Sequence, residues 1–404
     1  MHSPGKPDGR KLKILILSAP IGSGHRMAAN ALEEALSCLE NVETVQGNVF
    51  DFFPSALGRL FLNSYAKVLK LCPGLYALSY RWGNRNSGSL WMRNRINSLL
   101  LKLGRPFIES VQPDIVFSTH ATPTGILSLY KEKYAPDMWL GVVVTDFTVH
   151  RWLLCPGVNA YFLADSKLFP QVQAVVKEHT DLYDCGIPIR RVFALQADTV
   201  TARKKAREQF GWNADAFVCL LAGGGGGMLP MESLLRAVIR DCDTDGAAAA
   251  AKEATNSQAV PPLPKLHVIA VTGHNETLRK KLHVLNETLS DSRLAVLGFT
   301  GSMPQLMQAA DLIVTKAGGV SLAECLACGT EIVIYDPLPG QEQANTAFVQ
   351  KEYGIKAAAD TQELAMLLRQ AAEAPLEERL QKQEQRRRTF GRADAAEKIA
   401  ALLR

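Results

Sequence analysis

A strand-length apolar run, a glycine turn and a helical repeat follow one another twice in this chain, once in each half. Leu12–Ala19 (LKILILSA) is a continuous apolar run suited to a strand buried on both faces. Ile21–Gly24 turns the chain. Ala28, Ala31, Leu32, Ala35, Leu36 and Leu39 then recur at helical spacing. Phe217–Ala222 (FVCLLA), Gly223–Gly227 and Met231–Arg240 repeat the pattern. Such units build doubly wound parallel sheets, so the expected fold class is α/β with two similar domains. Further strands are expected at Ile115–Ser118, Leu140–Thr145, His267–Thr272, Leu294–Leu297, Leu312–Thr315 and Glu331–Tyr335. With 404 residues, 47% of them hydrophobic, there is material for two cores. We place the first domain at 11–190, ending near Gly186-Ile187-Pro188, the second at 191–375, and a charged helical stretch at 376–404. Asp243–Pro264, rich in Ala, Pro and small polar residues, reads as a surface insertion.

The formal charge of +5 conceals a strong local bias. Between Phe52 and Ile108 there is no acidic residue, while Arg59, Lys67, Lys70, Arg81, Arg85, Arg93, Arg95, Lys102 and Arg105 supply nine positive charges. The rest of the chain holds 36 basic against 40 acidic residues, so this segment carries the whole basic excess. Leu57, Leu60, Phe61, Tyr65, Val68 and Leu69 fall at helical spacing, and Tyr76, Tyr80, Trp82 and Trp91 follow. Cations interleaved with aromatics suit an anionic membrane surface, at about 1 kcal/mol for each basic residue close to it. We read Arg59, Lys67, Lys70, Arg81, Trp82, Arg85 and Trp91 as the membrane-binding set. A helix pair packed on the domain is the plainer alternative. Nothing resembles a nucleic-acid module, so no nucleic-acid partner is expected. The polar N-terminus lacks the apolar core of a signal peptide, and no apolar run is long enough to span a bilayer. The eight cysteines read as reduced thiols, with no metal site expected; Cys325 and Cys328 have no second pair.

Four constellations can carry chemistry. Gly22-Ser23-Gly24-His25 opens the first helix, where free amides and the helix dipole favour an anion and where His25 offers a group that titrates near neutrality. A plain turn with a helix-start histidine is the alternative. Gly223, Gly224 and Gly225 begin a run of five glycines, whose ordering cost is repaid by a backbone-lined anion cradle. Gly318 and Gly319 precede a helix starting near Ser321. Glu324, one turn in, could accept hydrogen bonds from ribose hydroxyls, or simply favour the helix start. Gln341, Glu342 and Asn345 follow the next strand, placed to read sugar hydroxyls or to lie in a solvated loop. Asp146 and His150 stand four residues apart after a strand, as an acid–base pair or as loop organisers, and His120 is similarly placed.

Gly22-Ser23-Gly24-His25 with its Ala28-Ala29 helix resembles the opening of the monogalactosyldiacylglycerol synthases and processive diacylglycerol glucosyltransferases. Thr315–Gly319, Tyr335-Asp336-Pro337 and Gly340–Asn345 are similar to that family's donor signature, and Val144–His150 and Tyr76–Trp82 also resemble it. The likeness runs from Leu12 to Ala357. A more distant one is to the enzyme that adds N-acetylglucosamine to a lipid-linked peptidoglycan precursor. The resemblance implies a GT-B fold, two Rossmann-like domains facing a cleft, with the final helix crossing back to the first domain. It implies inverting, metal-independent transfer of a hexose from UDP-glucose or UDP-galactose to diacylglycerol. The enzyme would lie peripherally on the cytoplasmic face of the membrane, with the UDP-sugar as co-substrate and no cofactor. His25 would be the base, with Asp146 orienting or replacing it. Glu324 would hold the ribose, Phe299 and Thr300 would flank the uracil, and Gln341 and Glu342 would meet the hexose. A UDP-sugar 2-epimerase and a non-catalytic nucleotide-sugar-binding protein share the architecture.

Overall fold

The structure is a computed structural model that describes residues 10–19, 23–52, 82–84, 87–176, 179–194, 198–236, 238, 266–289 and 294–403. Two six-stranded, wholly parallel sheets form the frame. The first is built from β1 (Leu12–Ser18), β2 (Val42–Asn48), β3 (Ile115–Ser118), β4 (Trp139–Val143), β5 (Ala160–Leu163) and β6 (Asp181–Asp184). Their order is β2-β1-β3-β4-β5-β6. Helices α1 (Gly24–Leu36), α2 (Ser87–Val111), α3 (Ala121–Tyr134) and α4 (Phe169–Gln173) connect them.

The second half starts with α5 (Thr199–Phe210) and continues through β7 (Phe217–Ala222), β8 (Leu266–Val271), α6 (Glu276–Leu289), β9 (Leu294–Leu297), α7 (Met303–Ala309) and β10 (Leu312–Thr315). It is completed by α8 (Gly319–Cys328), β11 (Glu331–Tyr335), α9 (Gln341–Tyr353), β12 (Lys356–Ala358) and α10 (Thr361–Glu373). Its order is β12-β11-β10-β7-β8-β9, with residues 231–236 also helical. In the first sheet the strand order reverses direction between β1 and β3, and in the second between β7 and β10. Ligands enter such sheets beyond the carboxyl ends of the strands at these switch points. The first switch point carries the loop to His25 and the turn at Thr119-His120; the second carries Gly223–Gly227 and Gly318-Gly319.

The central strands are continuous apolar runs because both faces are covered: Ile14 to Leu17, Ile115 to Phe117, Val218 to Leu221 and Leu312 to Val314 are wholly or almost wholly buried. Helix α8 is enclosed almost entirely, so apart from Ser321 and Glu324 its residues are apolar or small. The expected single helix at 376–404 is two. Helix α11 (Leu376–Phe390) packs on α8, where Gln383 donates to the Cys328 carbonyl at 3.2 Å. Helix α12 (Ala395–Ala401) returns to the first domain and buries Ala396, Ile399 and Ala400 with Leu32 and Leu36 of α1. At the foot of the second sheet, Asp311 is buried between Arg203, Arg207 and Arg379, at 2.8, 2.6 and 2.6 Å. That cluster ties α5 and α11 to the start of β10. Burial pushes the Arg207 guanidinium down to about 10.

Candidate active site

His25 sits one residue inside α1 and touches two strand ends of its own domain. Its Nδ1 lies 2.8 Å from the Thr119 carbonyl and 2.8 Å from Thr145 Oγ1. A carbonyl only accepts, so Nδ1 carries the proton and Nε2 keeps the lone pair. The backbone of Thr119 thus fixes the tautomer that a general base requires. Burial holds His25 below the ordinary histidine value, opposed by the charge of Asp146 and by the bond to Thr119.

His120 packs edge to face on His25, ring centroids 4.7 Å apart. Its Nδ1 accepts the Thr122 N–H at 3.2 Å and so caps α3. Burial, and then the proximity of His25 and His150, hold it well below the usual range. His150 caps the short turn at Arg151–Leu153 by accepting the Trp152 N–H at 3.2 Å. These histidines therefore have the loop-organising work that the sequence left open.

Asp146 does not reach His25 through a hydrogen bond; Thr119 and Thr145 orient the ring, and Asp146 acts on it as a charge. The carboxylate of Asp146 is instead held by the other domain. Asn345 Nδ2 donates to Oδ1 at 2.8 Å and Gln341 Nε2 donates to Oδ2. Asn345 also donates to the Ala317 carbonyl at 2.9 Å and accepts the Phe147 N–H at 2.9 Å. Gln341 and Asn345, expected from the sequence to read sugar hydroxyls, thus hold Asp146 in this structure. Glu342 turns inward, accepting the Leu338 N–H at 2.6 Å. Burial raises its pKa, with Leu338 and Lys316 opposing.

On the second domain the glycines do two jobs. Gly224 and Gly227 have φ of +70° and +57°, conformations that glycine adopts without strain. Others permit close approach. A methyl group on Gly225 would stand 3.4 Å from Ser23 Oγ, so the two glycine loops face each other. One on Gly319 would stand 2.1 Å from the Thr145 carbonyl oxygen, so the start of α8 lies directly against the end of β4. Gly318 caps α8, leaving first-turn amides at the cleft, and Gly24 meets Val320 of that helix. Ser321 is half-buried in the first turn. Glu324 is buried and paired with Arg190, whose Nε and a terminal nitrogen lie 3.0 and 2.9 Å from Oε1. Burial raises the Glu324 carboxyl and Arg190 opposes it. Phe299 is 67% exposed and stacks on His274 at 4.1 Å, an aromatic shelf, and Thr300 Oγ1 accepts the Ser302 N–H at 3.1 Å.

Of the basic segment, Arg59, Lys67, Lys70, Arg81 and Arg85 lie outside the described residues. Trp82 and Trp91 are exposed, Trp91 by 64%. Along α2 the side chains of Met92, Ile96, Leu99 and Leu103 are also exposed, interspersed with Arg95 and Lys102. Arg93 is different: it is buried and donates to the Trp152 and Leu154 carbonyls. It thereby fixes α2 to the loop that follows Asp146. No described helix is long and apolar enough to cross a membrane.

Sequence reasoning missed Thr119, Thr145, Arg190 and His274. The first two immediately precede His120 and Asp146 at strand ends, which was the signal available for them. Arg190 follows Gly186-Ile187-Pro188, a stretch read only as a boundary.

Two Rossmann-like domains meeting at their switch points, with a histidine on one and glycine-capped helix starts on the other, have the architecture of the GT-B fold. Residues 25–189 match the monogalactosyldiacylglycerol (MGDG) synthase family and residues 234–399 the glycosyltransferase family 28 C-terminal domain. The first half of the chain is thus similar to the monogalactosyldiacylglycerol synthases, and the second to the C-terminal domain of glycosyltransferase family 28. The processive diacylglycerol beta-glucosyltransferase of Bacillus pumilus (strain SAFR-032) is 25% identical over 347 residues, covering 85% of this chain and 82% of that one. The Bacillus subtilis (strain 168) protein of the same name is 23% identical over 343 residues, 84% of this chain and 81% of its own. Among solved structures, Acinetobacter baumannii MurG superposes with a TM-score of 0.58 at 14% identity, covering 97% of this chain and 99% of its own. UDP-GlcNAc 2-epimerase from Neisseria meningitidis gives 0.57 at 13% identity, with 97% and 99% covered. These structures share the fold.

Proposed function

We propose that the protein transfers a hexose from UDP-glucose or UDP-galactose to the hydroxyl of diacylglycerol, with inversion and without a metal ion, giving a β-glycosyl diacylglycerol. The observation that carries the reading is the fixed tautomer of His25, a base held at the first switch point opposite the start of α8. The lipid hydroxyl oxygen attacks the anomeric carbon as the bond to the UDP oxygen breaks. Its proton passes to His25 Nε2, and the electron pair leaves with UDP. First-turn amides of α8 and the Gly223–Gly227 loop offset the diphosphate charge. Glu324 accepts from the ribose, and Phe299 on His274 covers the uracil.

Diacylglycerol reaches the site from a bilayer. The exposed apolar and basic face of α2, tied by Arg93 to the loop after Asp146, supports a peripheral position on the cytoplasmic face of the membrane. A 2-epimerase of this fold would have no use for that face. The names of the Bacillus relatives favour diacylglycerol as acceptor and glucose as the sugar. Asp241, Asp243 and Asp245 alternate as paired metal-binding carboxylates can, and they lie outside the described residues, so metal independence needs its own arm of the test.

The experiment is UDP release from each donor on anionic liposomes, with and without diacylglycerol, in EDTA. Release that requires diacylglycerol and survives EDTA is the expected result. Release abolished by EDTA and restored by a divalent ion overturns the metal-independent part. No release despite UDP binding overturns diacylglycerol as acceptor.

A further inference from the structure

We infer that Asn345 is a positioning residue for the catalytic centre rather than a reader of the donor sugar: from the second domain it sets the Asp146 carboxylate in place beside His25. The inference rests on the reading of His25 as the base.

Asn345 is 0% exposed. Its carboxamide has two N–H donors and a carbonyl, and all three are engaged: Asp146 Oδ1 at 2.8 Å, the Ala317 carbonyl at 2.9 Å and the Phe147 N–H at 2.9 Å. A sugar hydroxyl could take a donor here only by breaking a buried bond. Gln341 lies one turn earlier on the same face of α9 and donates to the other oxygen of Asp146. Two amides of one helix therefore fix both oxygens of a carboxylate on the opposite domain. The same side chain ties together the end of β4, the turn from β10 to α8, and α9 itself. Among the described residues the charged and titratable groups that interact with Asp146 include His25 on α1 and Glu342 on α9, and Lys316 and Asp336 act in turn on Glu342. Asp146 favours the imidazolium that His25 becomes as it takes the proton, so its placement bears on turnover rather than on donor binding.

The discriminating substitution is Asn345→Asp, assayed with UDP-glucose and UDP-galactose from pH 6 to 8. A positioning role puts a second carboxylate against Asp146. The pair then needs a shared proton, so the ratio of variant to unaltered kcat rises about tenfold as pH falls across that range. The donor KM and the preference between the two hexoses stay within about twofold of the unaltered enzyme. Asn345→Ala lowers kcat at every pH with the same unchanged KM. A sugar reader behaves oppositely: KM rises, the hexose preference changes, and the kcat ratio of the Asp variant stays flat with pH. That pattern overturns the inference. Should Asn345→Asp not fold, by its thermal midpoint, Gln341→Glu places the second carboxylate on the other oxygen and carries the same expectation. Inactivity of the unaltered enzyme with both donors would instead overturn the functional reading.

Discussion

Arg190 grips one oxygen of Glu324, Oε1, with two nitrogens at 3.0 and 2.9 Å. A carboxylate buried this deeply favours its neutral form, and the guanidinium opposes that shift in favour of the ionised form that accepts. Arg190→Gln should raise the Glu324 carboxyl further. UDP affinity then falls about tenfold near neutral pH and recovers as pH rises. Calorimetric titration with UDP at pH 6.5 and 8.5 checks this; equal affinity for variant and parent at both values would remove Glu324 from the nucleotide site.

His25→Ala removes the imidazole whose tautomer the Thr119 carbonyl fixes for proton abstraction. We expect turnover to fall by about 10² to 10⁴ while UDP affinity changes less than twofold. Turnover near the parent value would require another base.

Burial holds His25 below the ordinary histidine value, and the reaction requires the neutral ring. Activity should therefore be complete above that lowered value and lost as pH falls through it, an acid limb in kcat/KM below about pH 6.5. Asp146 opposes the shift, so Asp146→Asn should move the limb to still lower pH, with kcat reduced. An acid limb above pH 7 in the parent would contradict the assignment.

A methyl group on Gly319 would stand 2.1 Å from the Thr145 carbonyl oxygen. The Asp146 Cα would stand at 2.8 Å as well, and since both are backbone atoms, Gly319→Ala must push α8 off the end of β4. We expect kcat to drop by at least about tenfold, with a measurable increase in the radius of gyration by solution scattering. An unchanged kcat would show that contact between these two backbones is dispensable.

Asp311 neutralises three arginines in the second domain, so its loss leaves buried cations without a counter-charge. Asp311→Ala should cost about 3–5 kcal/mol in denaturant unfolding of the second domain. A loss below 1 kcal/mol would mean that water or another anion replaces it.

Most of the strands that the sequence revealed are interior ones covered on both faces, and the edge strand Leu294–Leu297 stood out by its apolar run alone. Phe217–Ala222, Leu294–Leu297, Leu312–Thr315 and Glu331–Tyr335 lie where their apolar runs placed them. Three of the four that escaped notice, β2, β6 and β12, are edge strands. Their sequences, VETVQGN, DLYD and KAA, mix polar with apolar because one side meets solvent. The fourth, β5, is buried but only four residues long. At the site the glycine loops were legible because glycine runs need a physical reason. The pairs Arg190–Glu324 and Asp146–Asn345 were not, since their members stand 134 and 199 residues apart and meet only when the domains face each other. Asp146 and Asn345 were each singled out, yet as members of different constellations.

The chain passes between the domains twice, once after Gly186 and once between α11 and α12, and the two passages touch. A methyl group on Gly186, at φ +90°, would stand 2.4 Å from the Arg392 side chain. Two strands of covalent chain side by side allow the halves to swing like a book on its spine but resist twisting or sliding apart. Opening would separate Asp146 from Asn345 while leaving Thr119 and Thr145 on His25, because those three share one domain. Each turnover would then rebuild one contact, Asp146 to α9, on an imidazole whose orientation never has to be found again.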